Sequence, residues 1–262
     1  MSGNAPVRLP TRFLDKVWGT TDLLPWFPVA GEKIGEVWFE ADVPLLVKFV
    51  FTSDRLSVQV HPDDAFAAAH ENSRGKTEMW YVLRADPGAR LAIGFRESIS
   101  AERLREASLS GEVEQLLNWM EVQAGDAFFI PAGTVHAIGG GLALCEVQQH
   151  SDITYRLYDY GRPRELHLDK GIQVAFTGAS DIKSVMLPID CEYFHTELAR
   201  TSSELLYKPE SARFHIVIFV SGIGRIAGQE FREGEAWLIP AGCPPFSIEP
   251  ENPVKFLRTW VP

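Results

Sequence analysis

The sequence predicts a mostly β protein built from two related β-barrel units, and two observations carry that expectation. Short strand-like runs rich in Val, Ile, Phe, Trp and Tyr dominate the chain, each bounded by Gly, Pro, Asp or Ser. One phrase also occurs twice. Gly125-Asp126-Ala127-Phe128-Phe129-Ile130-Pro131-Ala132-Gly133 returns as Gly234-Glu235-Ala236-Trp237-Leu238-Ile239-Pro240-Ala241-Gly242, in each case a turn, a short strand and a second turn. The expected division is a metal-binding catalytic unit over residues 1–170 and a second, metal-free unit over residues 171–262. The copies part company just past the turn: His136 lies three residues beyond Gly133, whereas Pro245 lies three beyond Gly242 and cannot ligate a metal. Chemistry is therefore expected in the first barrel only.

Taken in order, the clearest strands are residues 45–51, 56–61, 78–84, 127–131, 142–148 and 215–221. Two segments read as helix. Residues 65–71 follow His61-Pro62-Asp63-Asp64, where proline suits a helix start and keeps His61 extended. Residues 101–120 space Leu104, Leu109, Val113, Leu116 and Leu117 among charges, with a break near Ser110-Gly111. A small helical segment is thus inserted at about residues 96–120 of the first unit.

Composition excludes several classes of function. A 262-residue chain with 45% hydrophobic and 23% charged residues fits a globular protein, not a disordered one. The first ten residues lack the apolar run of a signal peptide, and no stretch approaches the ~18 to 20 apolar residues of a membrane span. Three cysteines, Cys145, Cys191 and Cys243, show no CxxC spacing, which points to a reducing, cytoplasmic setting. The net charge of −10 opposes binding to nucleic acid or anionic membranes. An anionic substrate would need Lys and Arg gathered in one pocket against that global sign.

Strand geometry selects the candidate metal ligands. Side chains at i and i+2 project from one face of a strand, so Ser57, Gln59 and His61 share a face and leave Leu56, Val58 and Val60 on the other. Lys76 and Glu78 stand in the same relation, and the Pro-Ala-Gly turn can aim His136 inward. Gln59, His61, Glu78 and His136 form a mixed N/O set suited to one divalent ion such as zinc, with a position left for water or substrate. The other histidines, His70, His150, His167, His195 and His215, are read as structural.

These phrases resemble the type I mannose-6-phosphate isomerases, especially the short bacterial form. The resemblance runs through Val17-Trp18-Gly19, Ile34-Gly35-Glu36-Val37-Trp38, Pro44-Leu45-Leu46-Val47-Lys48 and Leu56-Ser57-Val58-Gln59-Val60-His61-Pro62-Asp63-Asp64. It continues through Gly75-Lys76-Thr77-Glu78-Met79-Trp80-Tyr81, Ile130-Pro131-Ala132-Gly133-Thr134-Val135-His136 and the long stretch Glu146 to Asp159. It covers about residues 10–170, with a looser C-terminal match. The resemblance implies a cupin fold of two β-barrels, zinc in one of them, and the same four ligands. It assigns the essential arginine to Arg156, pocket residues to Lys48, Ser57 and Lys76, and a candidate acid/base carboxylate to Glu146. Asp152, in the Ser-Asp-x-x-x-Arg phrase, is expected to meet substrate. Two departures stand out: the helical domain of longer members is reduced here to about residues 96–120, and His150 replaces a smaller residue after Gln-Gln.

The implied reaction interconverts mannose 6-phosphate and fructose 6-phosphate through an enediol. That chemistry needs a base for the carbon proton and stabilisation of the developing oxyanion. Arg156 supplies a fixed positive charge, Glu146 faces the cavity as a base or pairs with Arg156, and Lys76 assists proton transfer beside Glu78. Lys48 either contacts the phosphate or snorkels at a strand edge. Two alternatives remain at this point: a non-haem iron oxygenase using two His and a carboxylate, and a non-catalytic sugar-phosphate-binding cupin.

Overall fold

The computed structural model describes residues 4–262. The first part of the chain forms β1 (Val7–Arg8), β2 (Thr11–Thr20), β3 (Ile34–Phe39), β4 (Leu45–Thr52), β5 (Val58–Val60), α1 (Asp64–Glu71), β6 (Glu78–Ala85) and β7 (Arg90–Phe95). There follow α2 (Ala101–Ser110), α3 (Val113–Leu116), β8 (Leu117–Glu121), β9 (Ala127–Ile130), β10 (His136–Ile138), β11 (Leu142–Gln149), β12 (Tyr155–Tyr158) and α4 (Leu168–Val174). The remainder is β13 (Ile189–Asp190), β14 (His195–Thr201), β15 (Leu205–Tyr207), β16 (His215–Ser221), β17 (Ile223–Ile226), β18 (Gln229–Arg232), β19 (Ala236–Ile239), β20 (Phe246–Pro250) and β21 (Val254–Trp260).

Four antiparallel sheets result, in the mostly β, cupin-type arrangement that the sequence predicts. One barrel joins the sheets β2-β3-β4-β11-β6-β9 and β12-β5-β10-β7-β8. The second joins β13-β14-β21-β16-β19-β1 and β15-β20-β17-β18. The repeated phrase is thus the trace of a repeated topology, since β4-β11-β6-β9 and β5-β10-β7-β8 have counterparts in β14-β21-β16-β19 and β15-β20-β17-β18. Strand β1 crosses over to pair with β19, Val7 opposite Leu238.

Register carries the correspondence down to residues. Glu78 lies opposite Ile130 and His215 opposite Ile239, the matching isoleucines of the two phrases, so His215 takes the place of Glu78. Lys48 lies opposite Glu146 in the first barrel, and in the second Glu197 lies opposite Arg258 at the equivalent rungs. The same ladder position therefore carries a cation–anion pair in reversed order.

The continuous apolar reading of β4 has a simple cause: both its faces are covered. Val47, Phe49 and Phe51 pack with Cys145, Val147, Ile216, Ile218 and Leu257 in a core shared between the barrels. The alternate residues, Lys48, Val50 and Thr52, are buried on the other side, and Val50 packs with Trp80 and Leu144 in the first barrel's own core. Lys48 is therefore an interior residue and not a snorkelling edge residue.

The helix expected over residues 101–120 is corrected. Helix α2 stops at Gly111, whose φ of 84° is the left-handed geometry that ends helices. After the single turn of α3, Leu117–Glu121 is a strand paired with β7, Trp119 opposite Ala92 and Met120 opposite Leu91. Its leucines fit a helical spacing locally, but pairing with β7, distant in sequence, decides the outcome. The strand expected over 56–61 is regular only over Val58–Val60, and α4 was not anticipated. Among the described residues, no helix is long and apolar enough to cross a membrane.

Candidate active site

The Pro-Ala-Gly turn laces the ligand phrases together. Gly133 N–H donates to the His61 carbonyl (2.8 Å), and Ala132 N–H donates to the Thr77 hydroxyl, next to Glu78 (3.2 Å). Gly133 has φ +83°, and a Cβ there would come within 2.9 Å of the Val174 carbonyl, so the turn needs glycine. His136 then enters β10 directly opposite Gln59 on β5, and Arg156 on β12 flanks Gln59 from the other side. Three phrases distant in sequence converge on one inner surface.

His61, Glu78 and His136 offer ligand atoms that all lie within 4.8 Å of one another, and all three are buried. Each imidazole is oriented by a backbone carbonyl: His61 Nδ1–H donates to Ile153 (2.8 Å) and His136 Nδ1–H to Thr134 (2.9 Å). A carbonyl only accepts, so both rings turn an unprotonated Nε2 inward. His136 Nε2 and Glu78 Oε1 are buried without a hydrogen-bond partner, 3.5 Å apart. Burial, and then the Lys76 charge, depress both imidazoles, His136 to about 4 and His61 well below its ordinary value. Burial, and then the neighbouring Glu146 charge, raise Glu78. Two neutral imidazoles and an orphaned carboxylate oxygen are the donor set a divalent cation completes, so this group could hold a metal ion. Gln59 is half-buried on the adjoining ladder rung and lines a neighbouring pocket, which Lys76 also lines.

That pocket encloses about 290 Å³ and is mostly polar, with Trp18, Val50 and Leu56 as its apolar wall. Five cationic side chains line it, Lys16, Lys48, Lys76, Arg156 and Arg164, against three carboxylates, Glu36, Glu146 and Asp152. The local excess of positive charge in an acidic chain meets the condition for an anionic substrate. Ser57, buried, also lines it, as do Gln59 and Asp152.

Glu146 is not the partner of Arg156. Its Oε1 contacts Lys48 Nζ (3.0 Å) and Lys76 Nζ (3.4 Å), and its Oε2 accepts from Trp80 Nε1 (3.0 Å). Burial alone would raise this carboxyl, but Lys48 and Lys76 hold it ionised, well below the ordinary range. Lys48 also lies 3.9 Å from Glu36; burial opposes its charge, yet Glu146 and Glu36 keep the ammonium firmly protonated. Lys76 reaches the centre itself, contacting Glu78 and, at 2.9 Å, His61 Nε2. Arg156 Nη1 donates to the Glu165 carbonyl (2.8 Å).

Several lining residues were not anticipated. His167, read as structural, lines the pocket and accepts from Arg156 N–H through Nδ1 (3.1 Å). Arg164 is held by both oxygens of Asp159 at 2.6 Å, and Lys16 lies 3.6 Å from Glu36. No periodic pattern marks Arg164 or His167, which sit in the irregular segment between β12 and α4. Glu36 and Lys16 share a simpler signal, alternation on their strands. His70 stacks on Phe66 and His150 donates to the Val43 carbonyl, both away from the pocket.

No family model matches the chain. Among curated proteins, it is 48% identical over 141 residues to mannose-6-phosphate isomerase of Streptococcus mutans, a stretch covering 52% of this chain and 44% of that protein. Mannose-6-phosphate isomerase ManA of Bacillus subtilis is 37% identical over 297 residues, covering 90% of this chain and 93% of that protein. The solved structure of the Bacillus subtilis mannose 6-phosphate isomerase superimposes with a TM-score of 0.85 at 26% identity, covering 98% of this chain and 99% of the other. With likeness in sequence and fold extending over almost the whole length, the chain belongs to the mannose-6-phosphate isomerase family.

Proposed function

We propose that this protein interconverts mannose 6-phosphate and fructose 6-phosphate, with one divalent ion, zinc, held by Gln59, His61, Glu78 and His136. The observation that carries the reading is the inward-facing group of His136 Nε2, His61 Nε2 and Glu78 Oε1, joined through Lys76 to a basic pocket of sugar-phosphate size. Thiolates are absent from the donor set, which favours a catalytic over a purely structural ion. The ion, when bound, polarises sugar oxygens as a Lewis acid.

The chain's own residues do the rest. Arg156 presents fixed positive charge to the enediolate, and Lys76 Nζ with Glu146 Oε1 handles the proton that moves between C1 and C2. Glu146 is a weak base because two ammonium groups and an indole N–H stabilise its anion, so its main part is to hold Lys76 in place. Ser57 and Asp152 bind sugar hydroxyls, and the phosphate is drawn by the collective field of Lys16, Lys48, Arg156 and Arg164. Residues 1–170 form the catalytic unit and residues 171–262 the metal-free one. The free cysteines accord with work in the cytoplasm.

The test is a coupled assay of mannose 6-phosphate against free mannose, with and without chelator. Strong preference for the phosphorylated sugar and loss of turnover on chelation are expected. Equal efficiency on both sugars, or turnover that survives removal of all metal, would overturn the reading.

A further inference from the structure

A second basic cleft lies at the end of β10 remote from His136. The Gly139–Gly140 turn, the start of β7 and the α3–β8 junction enclose an open space of about 740 Å³. Three arginines line it, Arg55, Arg90 and Arg96, against a single carboxylate, Glu114. An overall charge of −10 makes such a grouping a local reversal of sign. The volume is that of small-molecule sites in general.

The three guanidinium groups are engaged unequally. Arg55 pairs with Glu114 and lies over the Tyr160 ring, 4.1 Å from its centroid. Arg96 donates to the Gln115 carbonyl, which leaves most of its donors free. Arg90 lies over the Trp119 ring, 5.8 Å from its centroid, with no carboxylate against it among the described residues. The frame beneath them is rigid. Trp119 Nε1 donates to the Glu114 carbonyl (2.9 Å), and Gly139 N–H donates to the Arg90 carbonyl (2.9 Å). That last approach is so close that a Cβ on Gly139 would come within 2.5 Å of the same oxygen.

We propose that this cleft binds a phosphorylated small molecule carrying at least two negative charges, at a site separate from the catalytic pocket. Guanidinium groups match phosphate oxygens in planar, paired hydrogen bonds. A monoanion would meet Arg90 alone, whereas a dianion can engage Arg90 and Arg96 together and draw Arg55 from Glu114.

Isothermal titration of the metal-loaded enzyme with pyrophosphate tests the site. Two binding events are expected, one of which persists in Arg156→Ala, a change confined to the catalytic pocket. The Arg90→Ala/Arg96→Ala variant should bind that persisting ligand at least tenfold more weakly, with turnover of mannose 6-phosphate within twofold of wild type. Glu114→Gln, which frees Arg55, should tighten it severalfold and keeps the test alive if the arginine variant folds poorly. Displacement by a nucleoside diphosphate or by a sugar bisphosphate identifies the source of the phosphate. A single event abolished by Arg156→Ala, or affinities unchanged in both cleft variants, would overturn the proposal.

Discussion

Lys48 shows how burial changes what a charged side chain can do. It is 5% exposed and lies between Glu146 and Glu36, so its ammonium is already matched by carboxylates before any substrate arrives. Removing it leaves the buried Glu146 with Lys76 alone and the half-buried Glu36 with Lys16 alone, and breaking a buried pair by removing one partner costs about 3 to 5 kcal/mol. Lys48→Ala should therefore lower stability in urea unfolding by roughly that amount. A variant of wild-type stability with only a raised KM for the phosphorylated sugar would return Lys48 to direct phosphate contact. Arg156 is different, because it is half-buried, bonded to a backbone carbonyl and, among the described residues, without a carboxylate partner. Arg156→Ala should retain metal and fold, yet lose on the order of 10²-fold in kcat with a smaller change in KM; an effect on KM alone would assign it to ground-state binding. Metal itself should be present at about one equivalent per chain and absent from His61→Ala/His136→Ala, as read by elemental analysis. Retention in that variant would move the ion elsewhere.

The elements around the pocket are placed by close backbone approaches. Gly75 sits where a Cβ would meet the Asp63 carbonyl carbon and the Asp64 nitrogen at 2.5 Å, and its N–H donates to Asp64 Oδ1 (2.7 Å). This contact presses the segment leading to Lys76 and Glu78 against the start of α1, which is joined to His61 through Pro62 and Asp63. Backbone cannot swing aside as a flexible side chain does, so Gly75→Ala should cost about 1 to 3 kcal/mol and weaken metal retention together. Unchanged thermal unfolding and metal content would show that the approach does not position the ligands. Such contacts also explain what could be read in advance. The period of two placed Ser57, Gln59 and His61 on one face, and the repeated turn marked His136, because both signals are local. Residues 117–121 were misread because leucines at helical spacing were outweighed by pairing with β7, a contact no local pattern shows. Arg164 and His167 escaped for the same reason, being delivered to the pocket by the irregular segment after β12 through Asp159 and Arg156.

At the scale of the whole molecule, the duplicated barrel has kept its ladder and changed its charges. His215 occupies the rung of Glu78; it is 1% exposed, hydrogen-bonds the Tyr207 hydroxyl through Nδ1 (2.8 Å), and its Nε2 has no partner. Arg258, at the rung of Glu146, is paired with Glu197 at 2.5 Å and lies over the Trp260 ring. Among the described residues no orphaned buried carboxylate remains there to attract a cation, in contrast to the first barrel. Burial, and then the Arg258 charge, depress His215 to about 4 against an ordinary value of 6.5. The direction of the linkage follows. Between those values the unfolded chain binds a proton that the folded chain refuses, so the native state loses stability as pH falls from 6.5 towards 4 and loses no more from this group below it. Within that window the contribution changes by about 1.4 kcal/mol per pH unit. His61 and His136 are depressed as well, but Glu78 is raised and opposes them, so only a difference between variants isolates one group. His215→Gln cannot take up the proton in either state. Urea unfolding of wild type and His215→Gln, from pH 4 to 6.5 at fixed metal content, should show stabilities whose difference shifts with pH by about that slope, the variant being the less acid-sensitive. Parallel pH profiles would mean that His215 takes up its proton as readily in the folded as in the unfolded chain, and that burial in the barrel does not hold it neutral.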